Sequence, residues 1–406
     1  MAGELLLNIA LLLMGAKVFG YAFTKLGLST LLGEIFAGIL FGAFLGLVPA
    51  NNGILAEVAG IGALFLLFLI GLSTKFEEFK DNLYASTVIA LAGAMLSLVA
   101  GFFVGLTIFG DPQTALFVAV TLMATSTAIS LRTVADSGKL QTSGGRMLVS
   151  VAIADDVIAL LALSMLGTYV SVGQVDIWKA VSLFFGILGF FFILLTAGSK
   201  AVGHVLHVSQ RVKDEQILVS VAVAVVFVIA FISERIGIAG VTAAFLVGMA
   251  MNRSPLVEKY VFPKAKVIGY GFFIPLFMAY SAVAFDIGSF FSSIWLIVLL
   301  GIVAALAKVI GCGVMSGFAR LSRGEAKLIG VSMVPRGEYT IIIANILHVA
   351  GLITAHAYTI VLGVVIFTIL IMPLISRLLS LGANSDMRPV RNFHYKGWGI
   401  RSALGR

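Results

Sequence analysis

The stretch VSVAIADDVIALLALSML, from Val149 to Leu166, decides the fold. It reads as a membrane-spanning helix except for two adjacent carboxylates, Asp155 and Asp156, near its middle. A charge at the centre of a bilayer costs roughly 2.5–3.5 kcal/mol on insertion scales. Two of them side by side demand a physical reason.

The rest of the chain supports a membrane setting. Of its 406 residues, 60% are hydrophobic and 11% charged, with a mean hydropathy of +1.11. A soluble domain carries about 25% charged residues. The apolar residues fall in long runs, and a span needs about 20 of them. The chain is therefore expected to be an all-α polytopic membrane protein. Transmembrane barrels are excluded, because their signature is short alternating segments. The single cysteine, Cys312, rules out an internal disulfide and reads as a small core residue. The N-terminus has no basic region before its apolar run and is read as a retained first span.

Thirteen apolar segments follow: 5–24, 27–48, 54–73, 84–110, 113–134, 144–171, 177–203, 216–233, 237–251, 264–286, 291–316, 327–349 and 355–381. With the N-terminus outside, twenty-two of the 27 basic residues fall in inner loops and the tail. Only Lys179 and Arg235 fall in outer loops, and Lys17, Lys308 and Arg336 lie within spans. That asymmetry sets a cytoplasmic C-terminus and supports an odd number of spans. The net charge of +8 marks the inner face, and nothing suggests nucleic acid. The basic tail over 382–406 suits anionic lipid or plain solvent.

A faint internal repeat is visible. LGEIFAGILFG in the second span resembles GVTAAFLVGMA in the ninth, and ALFLLFLIGLSTKFEEF resembles GFFIPLFMAYSAVAFDI, both at an offset of about 210 residues. Two six-span repeats joined by the connector 177–203 fit that offset. An odd connector inverts the second copy, as in secondary transporters with a midplane site between copies.

Among the buried charges, Lys17 and Glu34 lie near enough to span ends to be read as snorkelling groups. Asp155 and Asp156 do not. Successive helical residues point about 100° apart, so the two carboxylates cannot serve one partner equally. One can face a cavity while the other meets a cation from another helix, and Lys308 is the obvious counter-charge. A carboxylate without a permanent partner can bind a proton or a metal cation. The fifth span contains LMATSTAISLR, with Thr125, Ser126, Thr127 and Ser130. About 210 residues later stands SMVPRGEYTIII, with Pro335 and Gly337. Pro removes a helix donor and Gly loosens a helix. Both halves thus offer a broken helix, whose freed carbonyls and hydroxyls are hard ligands for an alkali ion. Arg336 and Glu338 either neutralise helix ends at the break or pair with each other.

Nothing points to an enzyme or a cofactor. No Cys/His cluster has metal spacing; His204 and His207 fall on a cytoplasmic loop, and His348 and His356 flank the last outer loop.

The chain resembles the sodium/proton antiporters of the cation:proton antiporter superfamily, second branch. LFLLFLIGL, ATSTAIS, AIADDVIALL, LAKVIG and PRGE carry the resemblance in the family's order over about 5–381, and the DD pair points to the electrogenic members. The resemblance implies a thirteen-helix homodimer in the cell inner membrane. A dimerisation domain would comprise 1–73 and 216–286, and a core transport domain 84–171 and 291–381. Spans five and twelve would be unwound where they cross. Asp156 would be the principal sodium ligand, Asp155 would pair with Lys308, and Thr125 and Ser126 would lie at the crossing. The implied cargo is sodium or lithium against protons. Potassium/proton exchange is the alternative, and a cation channel a more distant one.

Overall fold

The computed structural model describes residues 2–74, 82–140, 142–172, 185–186, 189–198, 200, 215–252, 254–319 and 321–375. Most of the connector 177–203, the tail 382–406, His204, His207, Lys179 and several inner-loop basic residues, among them Lys75, Lys80 and Arg211, lie outside these residues.

All regular elements among the described residues are helical. In chain order they are α1 (Ala2–Lys25), α2 (Thr30–Phe44), α3 (Gly53–Ser73), α4 (Leu83–Phe109), α5 (Pro112–Met123), α6 (Thr127–Asp136), α7 (Ser143–Val172), α8 (Glu215–Arg235), α9 (Gly240–Met251), α10 (Val257–Ser281), α11 (Ile287–Ser292), α12 (Ile294–Phe318), α13 (Arg323–Ser332), α14 (Glu338–Val349) and α15 (Ala355–Leu370). Nine helical stretches in the described residues are long and apolar enough to cross a membrane, counting α5 and α6 as one stretch across their junction. Three shorter apolar helices are α2, α9 and α14.

Every predicted segment meets helix, the connector only in part: its described residues are helical and include a π-helical turn, Leu194–Gly198. The boundaries follow local chemistry. Asp111 caps α5, accepting from Gln113 N and Thr114 N, with Pro112 at its first position. Asn52 caps α3 and Thr354 caps α15. The helix predicted from 327 begins earlier, at Arg323, because Ser322 and Glu325 form a reciprocal capping box. The tenth also begins earlier, at Val257, so Lys259 rides on the helix ahead of its expected start at 264.

Two interruptions shape the centre. Between α5 and α6 the chain runs extended from Ala124 to Ser126. Between α13 and α14 it leaves helix geometry from Val334 to Gly337. The two interruptions meet, with Ser126 N donating to the Pro335 carbonyl at 2.8 Å. Gly337 is required there by proximity: a Cβ would lie 2.6 Å from Ser126 Cβ. Around the crossing, α4 packs on α5, α7 and α12, and α12 packs on α13 and α15. The α4–α12 contact is backbone to backbone, since a Cβ on Gly311 would stand 2.7 Å from Gly93 Cα. Lys308 lies one turn before Gly311, on the same face of α12. Elsewhere α3 packs on α9 and α10, and α1 on α2.

Candidate ion site at the crossing

The site is assembled from α7, α12 and the two interruptions. Asp155 and Asp156 fall near the middle of α7 and are each 2% exposed, and Lys308 on α12 is fully buried. Lys308 Nζ lies 2.5 Å from Asp155 Oδ1. The second oxygen of Asp155 accepts from the backbone N–H of Thr125 at 3.2 Å. That amide belongs to the extended stretch, where no helical acceptor serves it. Asp155 thus has one oxygen on a cation and the other on the broken helix.

Asp156 points elsewhere, as a 100° step along the helix requires. Its Oδ1 accepts from Thr127 Oγ1 at 2.7 Å. No cation in the described residues pairs with it. The hydroxyls named from sequence behave differently. Thr125 Oγ1 donates to the Met333 carbonyl at 3.4 Å, linking the two interruptions, and Ser126 Oγ donates to Glu338 Oε2 at 2.6 Å. Ser130 returns to the Ser126 carbonyl within its own helix. Thr127, part of the same ATSTAIS run, is the hydroxyl that meets Asp156.

Arg336 and Glu338 do not pair; each serves a helix end. Arg336 is fully buried, and its guanidinium donates to the Val334, Met333 and Ala304 carbonyls at 3.1, 3.3 and 2.8 Å. It lies where α13 ends and its carbonyls lack helical donors, a position that favours a cation. Its backbone N–H donates to Thr368 Oγ1 of α15. Glu338 accepts from Ser126 Oγ and from Ala128 N, a free amide in the first turn of α6. An acid favours that end of a helix. Of the two expectations for these residues, helix-end neutralisation is the one found.

One expectation is corrected. Glu34 does not reach the surface; it is 7% exposed. It is held in the interior on α2, in electrostatic contact with Lys17 of α1. Lys17 stays exposed and donates to the Tyr270 carbonyl of α10. Cys312 is buried beside Gly93. His348 stacks on Tyr358 with ring centroids 4.6 Å apart. Sequence reasoning missed Tyr339, next to Glu338, which is 1% exposed and faces Asp156. An aromatic in an apolar run gives no signal of its own.

The arrangement places a compensated carboxylate and an uncompensated one next to each other, at the junction of two broken helices. The first can hold the helices together. The second can take a proton or an alkali cation, with the Thr127 hydroxyl beside it.

Comparison with known proteins gives the family and the fold. The family model described as sodium/hydrogen exchanger, transmembrane, matches residues 9–380. The Na(+)/H(+)-K(+) antiporter GerN of Bacillus cereus is 32% identical over 379 residues, covering 91% of this chain and 95% of the relative. The Na(+)/H(+) antiporter of Enterococcus hirae is 25% identical, covering 90% and 96%. In fold, the chain is similar to the sodium proton antiporter MjNhaP1 of Methanocaldococcus jannaschii, with a TM-score of 0.70 at 15% identity, covering 94% of this chain and 99% of that one.

Proposed function

The chain belongs to the sodium/hydrogen exchanger family, and from that premise we propose that it exchanges sodium for protons across a membrane by alternating access. The observation that carries this reading is Asp156: buried, without a cation partner, and one residue from the compensated Asp155–Lys308 pair. A buried charge that served stability alone would be expected to be paired.

In the proposed cycle Asp156 holds either a proton or a sodium ion, with Thr127 and the interrupted backbone supplying further oxygens. Thr125 and Ser126 keep the two interruptions in register, and Arg336 and Glu338 neutralise the helix ends left open there. When sodium enters, Asp155 leaves Lys308 for the ion, and the stranded, desolvated lysine gives up its proton. Asp156 releases the other. Two protons then leave the site for one sodium, and each cycle moves one net charge. A membrane potential, worth about 2.3 kcal/mol per charge per 100 mV, can drive such an exchange.

The wider architecture belongs to the same proposal. It comprises thirteen spans in two inverted repeats, a dimerisation unit of 1–73 and 216–286, a moving core of 84–171 and 291–381, a homodimer, and an inner-membrane location with the C-terminus in the cytoplasm. The repeat offset and the two matching interruptions support it. Potassium remains the second cargo reading, favoured by the potassium in the name of the B. cereus relative.

The test is sodium- and potassium-driven proton flux in proteoliposomes with an imposed potential. Flux is expected with sodium and is expected to accelerate with the potential. Flux with potassium alone would transfer the proposal to the second reading, and cation flux without proton movement would replace the antiporter with a channel. The double variant Asp155→Asn with Lys308→Gln lacks the second proton carrier, so its transport is expected to be electroneutral or absent. Potential-driven exchange in that variant would rule out the two-carrier cycle.

A further inference from the structure

Tyr339 is the second residue of α14 and is 1% exposed. Its neighbours both reach across the crossing: Glu338 to Ser126 and Ala128, and Thr340 Oγ1 to the Ala124 carbonyl at 3.4 Å. The ring between them is turned to Asp156, near enough to interact electrostatically with it and with Glu338 and Asp155. The Tyr339 hydroxyl is buried, and its polar neighbour is the Asp156 carboxylate, which it meets only in a loose contact outside ordinary hydrogen-bond geometry. The other buried tyrosine of this region behaves differently: the Tyr358 hydroxyl donates to the Ser281 carbonyl.

A buried hydroxyl left without a partner is costly, and native structures leave few. Those that persist call for an explanation, and an ion bound during function is one of them. Here the poorly satisfied oxygen faces Asp156, which among the described residues has no cation partner and, unlike Glu338, accepts a hydrogen bond of ordinary geometry from only one hydroxyl. A phenolic oxygen is a hard neutral donor, of the kind that hard cations take together with carboxylates. Its ring has only two side-chain torsions and is packed on all sides, so the oxygen is held in place before the cation arrives, which lowers the ordering cost of binding.

We propose that Tyr339 Oη is a direct ligand of the transported cation, completing with the Asp156 carboxylate and Thr127 Oγ1 an oxygen face for a desolvated alkali ion. The inference rests on the antiport reading and deepens it. It assigns to α14 a contact with the cargo, where Arg336 and Glu338 contact only protein. The hydroxyl binds the ion, and the proton chemistry stays with Asp156 and Lys308.

The test uses the full-length protein and Tyr339→Phe, which keeps the ring and removes one oxygen. Proton flux in proteoliposomes is titrated with sodium chloride, and thermal unfolding of the purified protein is followed in sodium chloride and in choline chloride. Tyr339→Phe is expected to raise the sodium half-saturation roughly tenfold, the scale of one hydrogen-bond-strength contact to a charged partner. The maximal rate should stay within about threefold. Unfolding in choline should be unchanged or shifted upward, because an unsatisfied group has been removed. The stabilisation that sodium confers should shrink, since a ligand stabilises in proportion to its affinity. A half-saturation within twofold of the parent overturns the assignment. So does a variant that melts earlier in choline or does not fold, because the hydroxyl would then be structural. Asp156→Asn measured alongside separates the two levels. If that variant still exchanges sodium, the antiport site itself is misassigned. If it is silent while Tyr339→Phe binds sodium normally, only the tyrosine assignment falls.

Discussion

The two interruptions at the centre of the molecule solve the same problem in opposite ways. Both leave helix ends open inside an apolar core, where free amides and carbonyls are costly. The Ala124–Ser126 interruption brings only small neutral side chains, and its needs are met from outside. Asp155 takes the Thr125 amide, Glu338 takes the Ser126 hydroxyl and the Ala128 amide, and Pro335 takes the Ser126 amide. The interruption from Val334 to Gly337 brings its own charge. Arg336 turns back onto the Met333 and Val334 carbonyls and reaches α12. The first interruption therefore depends on neighbours that can change state, and the second is largely self-contained. A site that must alternate between proton and cation belongs beside the first.

That contrast is breakable, and the sharpest attempt is Asp156→Asn set against Glu338→Gln. Asp156→Asn is expected to abolish sodium-coupled proton movement, at least a hundredfold below the parent, with thermal unfolding little changed. Glu338→Gln should lower the rate and retain exchange, since Gln keeps an acceptor for Ser126 and Ala128. Should Glu338→Gln silence a folded transporter as completely, the division between a transporting carboxylate and a structural one collapses.

Next in size is the Asp155–Lys308 pair. Lys308→Ala leaves a buried carboxylate uncompensated, at a cost of about 3–5 kcal/mol. Asp155→Asn together with Lys308→Gln should recover part of the loss. Additive single losses in a double-mutant cycle would show that the two groups are not coupled.

A smaller effect tests the contact between the interruptions. Gly337→Ala places a methyl 2.6 Å from Ser126 Cβ, and overpacking of this kind costs about 1–3 kcal/mol. Combining it with Ser126→Gly, which removes the obstructing atoms, should destabilise less than the two singles summed. Equal or greater loss in the double variant would mean that the interruptions are not in contact there.

The smallest effect lies outside the crossing. Ser322→Ala removes the capping box at the start of α13 and should cost about 1 kcal/mol in unfolding free energy, with flux unaltered. A marked fall in flux would show that the α13 terminus is coupled to the site.

How far the sequence was legible follows from the kind of signal each feature leaves. Helices in a membrane announce themselves by length and hydropathy, so the expected segments have helical counterparts among the described residues, the connector only in part. A proline and glycine in an apolar run mark a break locally, and the non-helical stretch from Val334 to Gly337 lies where they predicted it. The break after Met123 has no proline or glycine of its own, and its Ser and Thr residues served only as a hint. Glu34 was misread because distance from a span end does not say which side of the helix a residue occupies.

The amino-acid sequence by itself determined a polytopic helical protein with carboxylates and a lysine buried at mid-span, because the cost of charge in hydrocarbon makes such residues visible in any context. The resemblance named Asp155 as the partner of Lys308, but only the tertiary structure decided that Thr127 reaches Asp156 while Ser126 turns to Glu338, and that Tyr339 faces the same carboxylate. Adjacent helical positions differ by about 100°, and the rotation of a helix about its own axis is set by the packing of its neighbours. No span carries that information alone.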